Sequence, residues 1–409
     1  MNNFLLGLDL GTTSLVGRLW LSDGQVVAEA SVANPQQEYG ADVILRLAAA
    51  MAGQSEDLQR LLVTGINSLV DELLRQVAGE QQQISAAAAA ANPAISLLLA
   101  GKSVARLLQP PHRPEYLAGE RLDSRGLALN ISVPLGLLPL VNGFVGGDLL
   151  AVLLGNPPDE RPTLYIDLGT NAELALWDGA RWLVTSVAAG PAFEAGNIAC
   201  GMLHGFGAVS EVALVKERFA LSVVGGGAPQ GLCGSGLFSL LGSAVQAGLI
   251  TADGRIRAAA EVDTSLSRYL LADGDSQALQ VYRDARTCLR LNQADVRAFQ
   301  LAKGAVLAGV SCLLRRAGLQ SEQLASVRLA GALGGALPSS ALKGVAILPE
   351  NVLEKCRFLP GAVLTGLLPV LQQRTGLAAA QKLALSLNPY PLSGTPAFEK
   401  AFLASLDFS

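Results

Sequence analysis

TLYIDLGTNAEL, Thr163 to Leu174, repeats a phrase first met at LLGLDLGTT, Leu5 to Thr13. Each is an apolar run carrying one aspartate, Asp9 or Asp167. Each then breaks into small polar residues, Gly11-Thr12-Thr13 or Gly169-Thr170-Asn171. Burying an unpaired carboxylate is costly, so the aspartates either face water at a strand end or hold something positive. The repetition favours the second. A glycine after the strand lets successive N–H groups point into one concavity, a nest for anionic oxygens, and the threonine hydroxyls add donors. An aspartate there cannot take phosphate itself. Its partner would be a hydrated Mg²⁺ carried by the phosphates. The second copy would then close on the same triphosphate from the opposite domain. An ordinary turn capped by its aspartate explains one copy, but not both.

Around each phrase lies the same layout. Residues 4–10, 14–22 and 25–32 read as a β-meander with an Asp23-Gly24 turn, and residues 163–168, 171–177 and 182–187 as another with an Asp178-Gly179 turn. The chain therefore reads as two duplicated halves of one α/β unit. Between the meanders, Ser55 to Val77 has helical spacing. ISAAAAAANPAISLLLAG, Ile84 to Gly101, is cut at Asn92-Pro93 into a strand and then a helix, and Gly147 to Leu154 is a short helix. GNPPDERP marks the crossing between halves. Residues 208–298 are irregular, with glycines at 225–227 and a helix after Gly236. A long helix, Gln293 to Ala317, precedes a strand at 325–330 and the glycine turn LAGALGGALP, in which Gly331, Gly334 and Gly335 would let a flat adenosine lie on bare backbone.

Composition sets the outer limits. A chain of 409 residues allows two or three domains on a scale of roughly 150 residues each. Half the residues are hydrophobic and only 16% charged, which suits large cores. A net charge of −4 with no basic stripe argues against nucleic acid. The uncharged segments Phe219–Ala252 and Gly126–Gly147 are interrupted by glycine or proline and read as core, so no membrane span is expected. No basic leader precedes the first strand, so no signal peptide is expected and the cytoplasm is the default location. Cys200, Cys233, Cys288, Cys312 and Cys356 form no close pair of the kind zinc or a local iron–sulfur loop needs.

The order of hairpin, connecting helix, hairpin, long helix and glycine turn resembles the superfamily of acetate and sugar kinases, heat-shock chaperone ATPases and actin. On that resemblance its motifs would be Leu5–Thr13, Gly143–Leu154, Thr163–Glu173, Ala302–Leu313 and Leu329–Leu337. It implies two actin-like, ribonuclease H-like domains, 1–155 and 156–409, the second with an insertion around 208–298. Each would have a mixed five-stranded sheet with flanking helices, and a nucleotide cleft would lie between them. A P-loop is excluded, since Ser96 stands where the first glycine before Gly101-Lys102-Ser103 would be.

A narrower resemblance runs through NPQQEYGADVILRL (Asn34–Leu47), GFVGGD (Gly143–Asp148), IDLGTNAEL (Ile166–Leu174), AAGPAFEAGNIACGM (Ala188–Met202), GLCGSGL (Gly231–Leu237) and AFQLAKGAVLAG (Ala298–Gly309). These are similar to the ATPase domain of the reductive activators of corrinoid proteins. The resemblance implies an ATP- and Mg²⁺-dependent dimer that drives cobalt from Co(II) to Co(I) in a corrinoid methyltransfer protein. Family members usually carry an N-terminal [2Fe–2S] ferredoxin domain. The phosphate strand here begins at residue 4, so no such cluster is expected and electrons would come from a separate ferredoxin-like donor. The family's arginine after Gly201-Met202 is Leu203, its acid after Leu237 is lost, and its adenosine-motif phenylalanine is Leu333.

Position suggests the individual roles. Asp9 and Asp167 hold Mg²⁺ through water, and Gly11, Thr12, Thr13, Gly169, Thr170 and Asn171 take the phosphates. Asp148 positions the attacking water or caps its helix. Lys303, with Gly331, Gly334 and Gly335, reaches the adenosine unless it is a plain surface lysine. Glu194, in a glycine-flanked loop, is a switch. Three alternatives stay open: a small-molecule kinase of the same fold, a redox activator whose dimer shares a [4Fe–4S] cluster through Cys200 and Cys233, and a nucleotide-binding regulator that does not hydrolyse.

Overall fold

Phe4, Leu6, Leu8 and Leu10 alternate along the first strand and all are buried in one cluster with Leu62, Ile66, Leu69 and Leu73. Period two on the strand meets helical spacing on Ser55–Gln76, and this builds the first core. The structure, a computed structural model, describes residues 2–40, 42–77, 82–110, 112–331, 333 and 337–409. The chain forms two units, Met1–Pro158 with Gly361–Pro389, and Asp159–Pro360 with Tyr390–Ser409.

In the first unit β1 (Asn2–Leu10), β2 (Ser14–Leu21) and β3 (Val26–Ala33) form the expected antiparallel meander. β4 (Gln82–Ala91) lies parallel to β1, with Asp9 opposite Ala90 and Leu10 opposite Ala91. Asn92-Pro93 then opens the helix Pro93–Leu99, with the Asn92 side chain accepting from the N–H of Ile95, as the sequence predicts. Two short strands, β5 (Glu120–Leu122) and β6 (Leu135–Leu137), complete a sheet of order β3-β2-β1-β4-β6-β5. That is six strands where five were expected.

The first crossing between units falls at residue 158, close to the expected 155, but not all of 156–409 stays in the second unit. Residues 361–389 return to the first unit, because the helix Ala362–Gln372 packs backbone to backbone on the helix Gly147–Gly155. A Cβ on Gly366 would stand 1.7 Å from the carbonyl oxygen of Ala151, and one on Gly155 would stand 2.8 Å from Gly366 Cα. Only glycine permits that approach.

The second unit repeats the plan. β7 (Thr163–Asp167), β8 (Ala172–Trp177) and β9 (Trp182–Val187) form the meander. In the segment expected to be irregular, β10 (Ala208–Val215), β11 (Arg218–Val223) and β12 (Gly231–Leu232) make one small sheet. β13 (Leu270–Asp273), β14 (Ser276–Arg283) and β15 (Cys288–Asn292) make another. β16 (Ser326–Ala330) lies parallel to β7 and β17 (Cys356–Phe358) parallel to β16, as β4 and β6 stand to β1.

The helix Gln293–Ala317 starts at a capping box, in which Asn292 and Asp295 exchange side-chain bonds with each other's N–H, and ends at left-handed Gly318. Its Val296, Phe299, Ala302, Val306 and Val310 enter the core against Leu164 and Ile166. Among the described residues this is the one helix long and apolar enough to cross a bilayer, and most of it is buried within its unit.

Candidate functional site

The first loop follows from β1 ending at Leu10. The N–H of Gly11 donates to the carbonyl of Ser14 at 3.0 Å, closing a tight turn. Two asparagines brace it. Asn34, fully buried, donates its side-chain amide to Gly11 O at 2.9 Å and its backbone N–H to Thr13 O at 3.0 Å. Asn92 donates to Thr12 Oγ1 at 3.1 Å. Sequence reasoning gives neither side chain a role. Asn34 opens the first of the strings that resemble the corrinoid activators, and Asn92 is the residue that cuts Ile84–Gly101, but nothing in either pattern says where the amide points.

Asp148 comes to the same end of this sheet. A Cβ on Gly146 would stand 2.5 Å from Ala91 O and 2.9 Å from Asp148 Oδ1, so the connecting helix starts against the end of β4. That end lies beside Asp9 in register. In parallel α/β sheets such carboxyl ends are where ligands are met. Asp148 is not the N-cap, a position taken by Gly146. Burial pushes its carboxyl up to about 6, against the opposing pull of the Leu149 N–H, which donates to Asp148 Oδ1 at 2.9 Å. A carboxyl at that value exchanges protons near neutrality, as a general base must.

In the second unit Asp167 ends β7, opposite Glu173 on β8 and Ala330 on β16. Glu173 is buried; it lies inside the second phosphate motif, where sequence reasoning assigns it nothing. The loop that follows already holds an anionic oxygen. Glu194 Oε1 accepts from the N–H of Thr170 at 2.9 Å and from Thr170 Oγ1 at 3.2 Å. The donors expected to take phosphate are thus aimed at a carboxylate, which stands in for that class of ligand. Glu194 ends the 3₁₀ turn Pro191–Glu194, fixed by Phe193, whose fully buried ring sits 5.3 Å from Phe238 and 5.7 Å from Phe299.

The glycine turn divides. At Gly331 φ is +129° and a Cβ would stand 2.2 Å from the carbonyl oxygen of Leu168, so the turn lies directly against the second loop. Gly334 and Gly335 lie outside the described residues. Leu333 is fully buried, its carbonyl accepting from the N–H of Ser235 at 2.8 Å.

Lys303 does not stand where sequence reasoning puts it. It is fully buried, with Nζ donating to the carbonyls of Asp407 and Ala346, the latter at 3.4 Å, and lying 5.6 Å from the ring centre of Phe408. Burial lowers its ammonium to about 8, opposed by the nearby charge of Asp407. It fastens the C-terminal residues to the long helix.

Cys233 is buried with its thiol toward Val209 O, and burial, with Asp295 nearby, pushes Cys200 up to about 12.

Comparison with known proteins bears on these features together. The model of the C-terminal domain of RACo, the ASKHA domain, matches residues 161–409, and that of the RACo middle region matches residues 4–157. The chain is 29% identical over 364 residues to the corrinoid activation enzyme RamQ of Eubacterium limosum, covering 84% of this chain and 60% of that protein. It is 26% identical over 262 residues to a [Co(II) methylated amine-specific corrinoid protein] reductase of Methanosarcina barkeri, covering 54% of this chain and 44% of that protein. A solved reductive activator for a corrinoid, iron–sulfur protein superposes with a TM-score of 0.90 at 26% identity, over 99% of this chain and 66% of the other. The matches thus span less than two thirds of the length of these curated relatives.

Proposed function

The chain belongs to the RACo family and has its actin-like ASKHA fold, and from that premise we propose that it binds and hydrolyses Mg·ATP to drive reduction of a corrinoid methyltransfer protein from Co(II) to Co(I). The nucleotide half of this reading rests on one observation above the others: Thr170 already presents its N–H and hydroxyl to an anionic oxygen, at the end of a strand that duplicates β1 and its own Asp-Leu-Gly-Thr turn. The partner half rests on the names of the relatives, a corrinoid activation enzyme and a Co(II) corrinoid protein reductase.

In this account Gly11, Thr12, Thr13, Gly169, Thr170 and Asn171 contact the phosphates. Asp9 and Asp167 hold Mg²⁺ through its waters, and the ion, when bound, supplies charge screening for the phosphates. Gly331 leaves bare backbone for the adenosine side. Asp148, with its carboxyl near 6, orients and deprotonates the attacking water. Electrons come from a separate ferredoxin-like protein in the cytoplasm. The activator works as a homodimer whose change of shape on turnover alters how the partner holds its cofactor.

Asp9→Ala and Asp167→Ala test the nucleotide reading. Each should abolish Mg-dependent ATP binding in calorimetry while far-UV circular dichroism stays that of the wild type. Unchanged affinity in both variants would sink the assignment.

A further inference from the structure

The second loop is already filled from within. Thr170 turns both its N–H and its hydroxyl toward one oxygen of Glu194, at 2.9 and 3.2 Å, and the same oxygen would stand 3.4 Å from a Cβ on Gly169. An anionic phosphate oxygen bound by these donors would need the position that this carboxylate occupies. The geometry points to Glu194 as an internal competitor for the nucleotide phosphates, a carboxylate that occupies the second phosphate loop until Mg·ATP displaces it. This inference rests on the nucleotide reading above and gives the site its affinity control.

The backbone beneath Glu194 is held from several sides, so the moving part is the side chain. Phe193 is clamped between Phe238 and Phe299, and its carbonyl abuts Gly234, where a Cβ would stand 2.0 Å from that oxygen. The N–H of Gly190 donates to Thr170 O at 2.8 Å, and Asp295 of the long helix accepts from the N–H of Ala199 at 3.0 Å. On one side of Glu194 Gly190 is left-handed at φ 75°, and on the other Ala195 is left-handed at φ 58°. Rotation about the side-chain bonds of Glu194 would release both Thr170 donors while leaving each of these backbone contacts intact. A brace for the loop and a competitor for its ligand would look alike at rest. They differ in what their removal does.

A competitor lowers apparent affinity by the fraction of time the site is open, so a carboxylate that fills the loop nine-tenths of the time weakens binding about tenfold. Calorimetric titration of Mg·ATP and Mg·ADP into wild type, Glu194→Ala and Glu194→Gln tests it, with circular dichroism confirming that each variant is folded. The expected result is tighter binding in both variants, about tenfold for alanine and less for glutamine, whose neutral oxygen can still accept from Thr170. Weaker or unchanged binding in folded variants, with wild type still binding, overturns the inference and leaves the nucleotide reading standing. Binding by the variants when wild type shows none supports it in its strongest form. Absence of binding in all three overturns it together with that reading.

Discussion

Replacing Asp148 by asparagine should stabilise the protein and disable it at the same time. The folded chain holds the Asp148 proton up to about pH 6, whereas an unfolded aspartate gives it up near 3.8. Wild-type stability therefore falls as pH rises from about 4 to about 6 and is level above that, because in this window the folded state binds the proton that the unfolded state has lost. At 1.36 kcal/mol for each unit of pKa, the displacement from 3.8 to about 6 corresponds to about 3 kcal/mol of stability absent at neutral pH. The asparagine side chain has nothing to titrate, keeps an oxygen to accept from the Leu149 N–H, and hardly changes the volume. Paired urea titrations should give Asp148→Asn an advantage of about 3 kcal/mol at pH 7.5, shrinking to about 0.5 kcal/mol at about pH 4, where the unfolded aspartate has only begun to lose the proton that the folded one keeps. ATP turnover should fall to the background rate. An advantage that does not change with pH, or a loss of stability at pH 7.5, would refute the claim that this carboxyl is held in an environment hostile to its charge.

Gly331→Ala should lower stability by about 3 kcal/mol or more in chemical unfolding, since φ is +129° and the new Cβ would meet Leu168 O at 2.2 Å. Gly226→Ala, left-handed but with nothing near its Cβ, should lose only about 1 kcal/mol. Asn34→Ala strips a fully buried position of its bonds to Gly11 O and the Gln36 N–H and should destabilise by about 2–3 kcal/mol while weakening nucleotide binding. Lys303→Met should leave Mg·ATP affinity as it is and expose the C-terminal residues to proteolysis. The wild type should gain stability as pH rises from about 8 to 10.5, the unfolded lysine being the better proton binder in that range, and the variant should not.

What the sequence makes legible here is what short-range chemistry enforces. The two meanders show through period-two alternation and their Asp-Gly turns. The break between β4 and its following helix shows through Asn92-Pro93, and the long helix through Asn292, Asp295 and Gly318. The duplicated Asp-Leu-Gly-Thr turns give the fold, since two copies need one explanation. Long-range contact is what stays hidden. That Gly366 would meet Ala151, drawing residues 361–389 into the first unit, depends on two backbones meeting across a long stretch of intervening chain. Lys303 misleads because a lysine on an amphipathic helix reads as a surface residue until the C-terminal carbonyls that receive it are seen. Glu194 is legible as a residue of interest but not as the occupant of its loop, because its hydrogen bonds to Thr170 cross 24 residues.

On the proposed function, this chain spends ATP to make Co(I). The most direct measurement mixes the protein anaerobically with a Co(II) corrinoid methyltransfer protein and a reduced ferredoxin-like donor, and follows the Co(I) absorbance with and without Mg·ATP. Co(I) should accumulate only when chain, donor and Mg·ATP are all present, and Asp148→Asn should abolish it. Equal Co(I) yields without ATP, or without the chain, would contradict the proposed function.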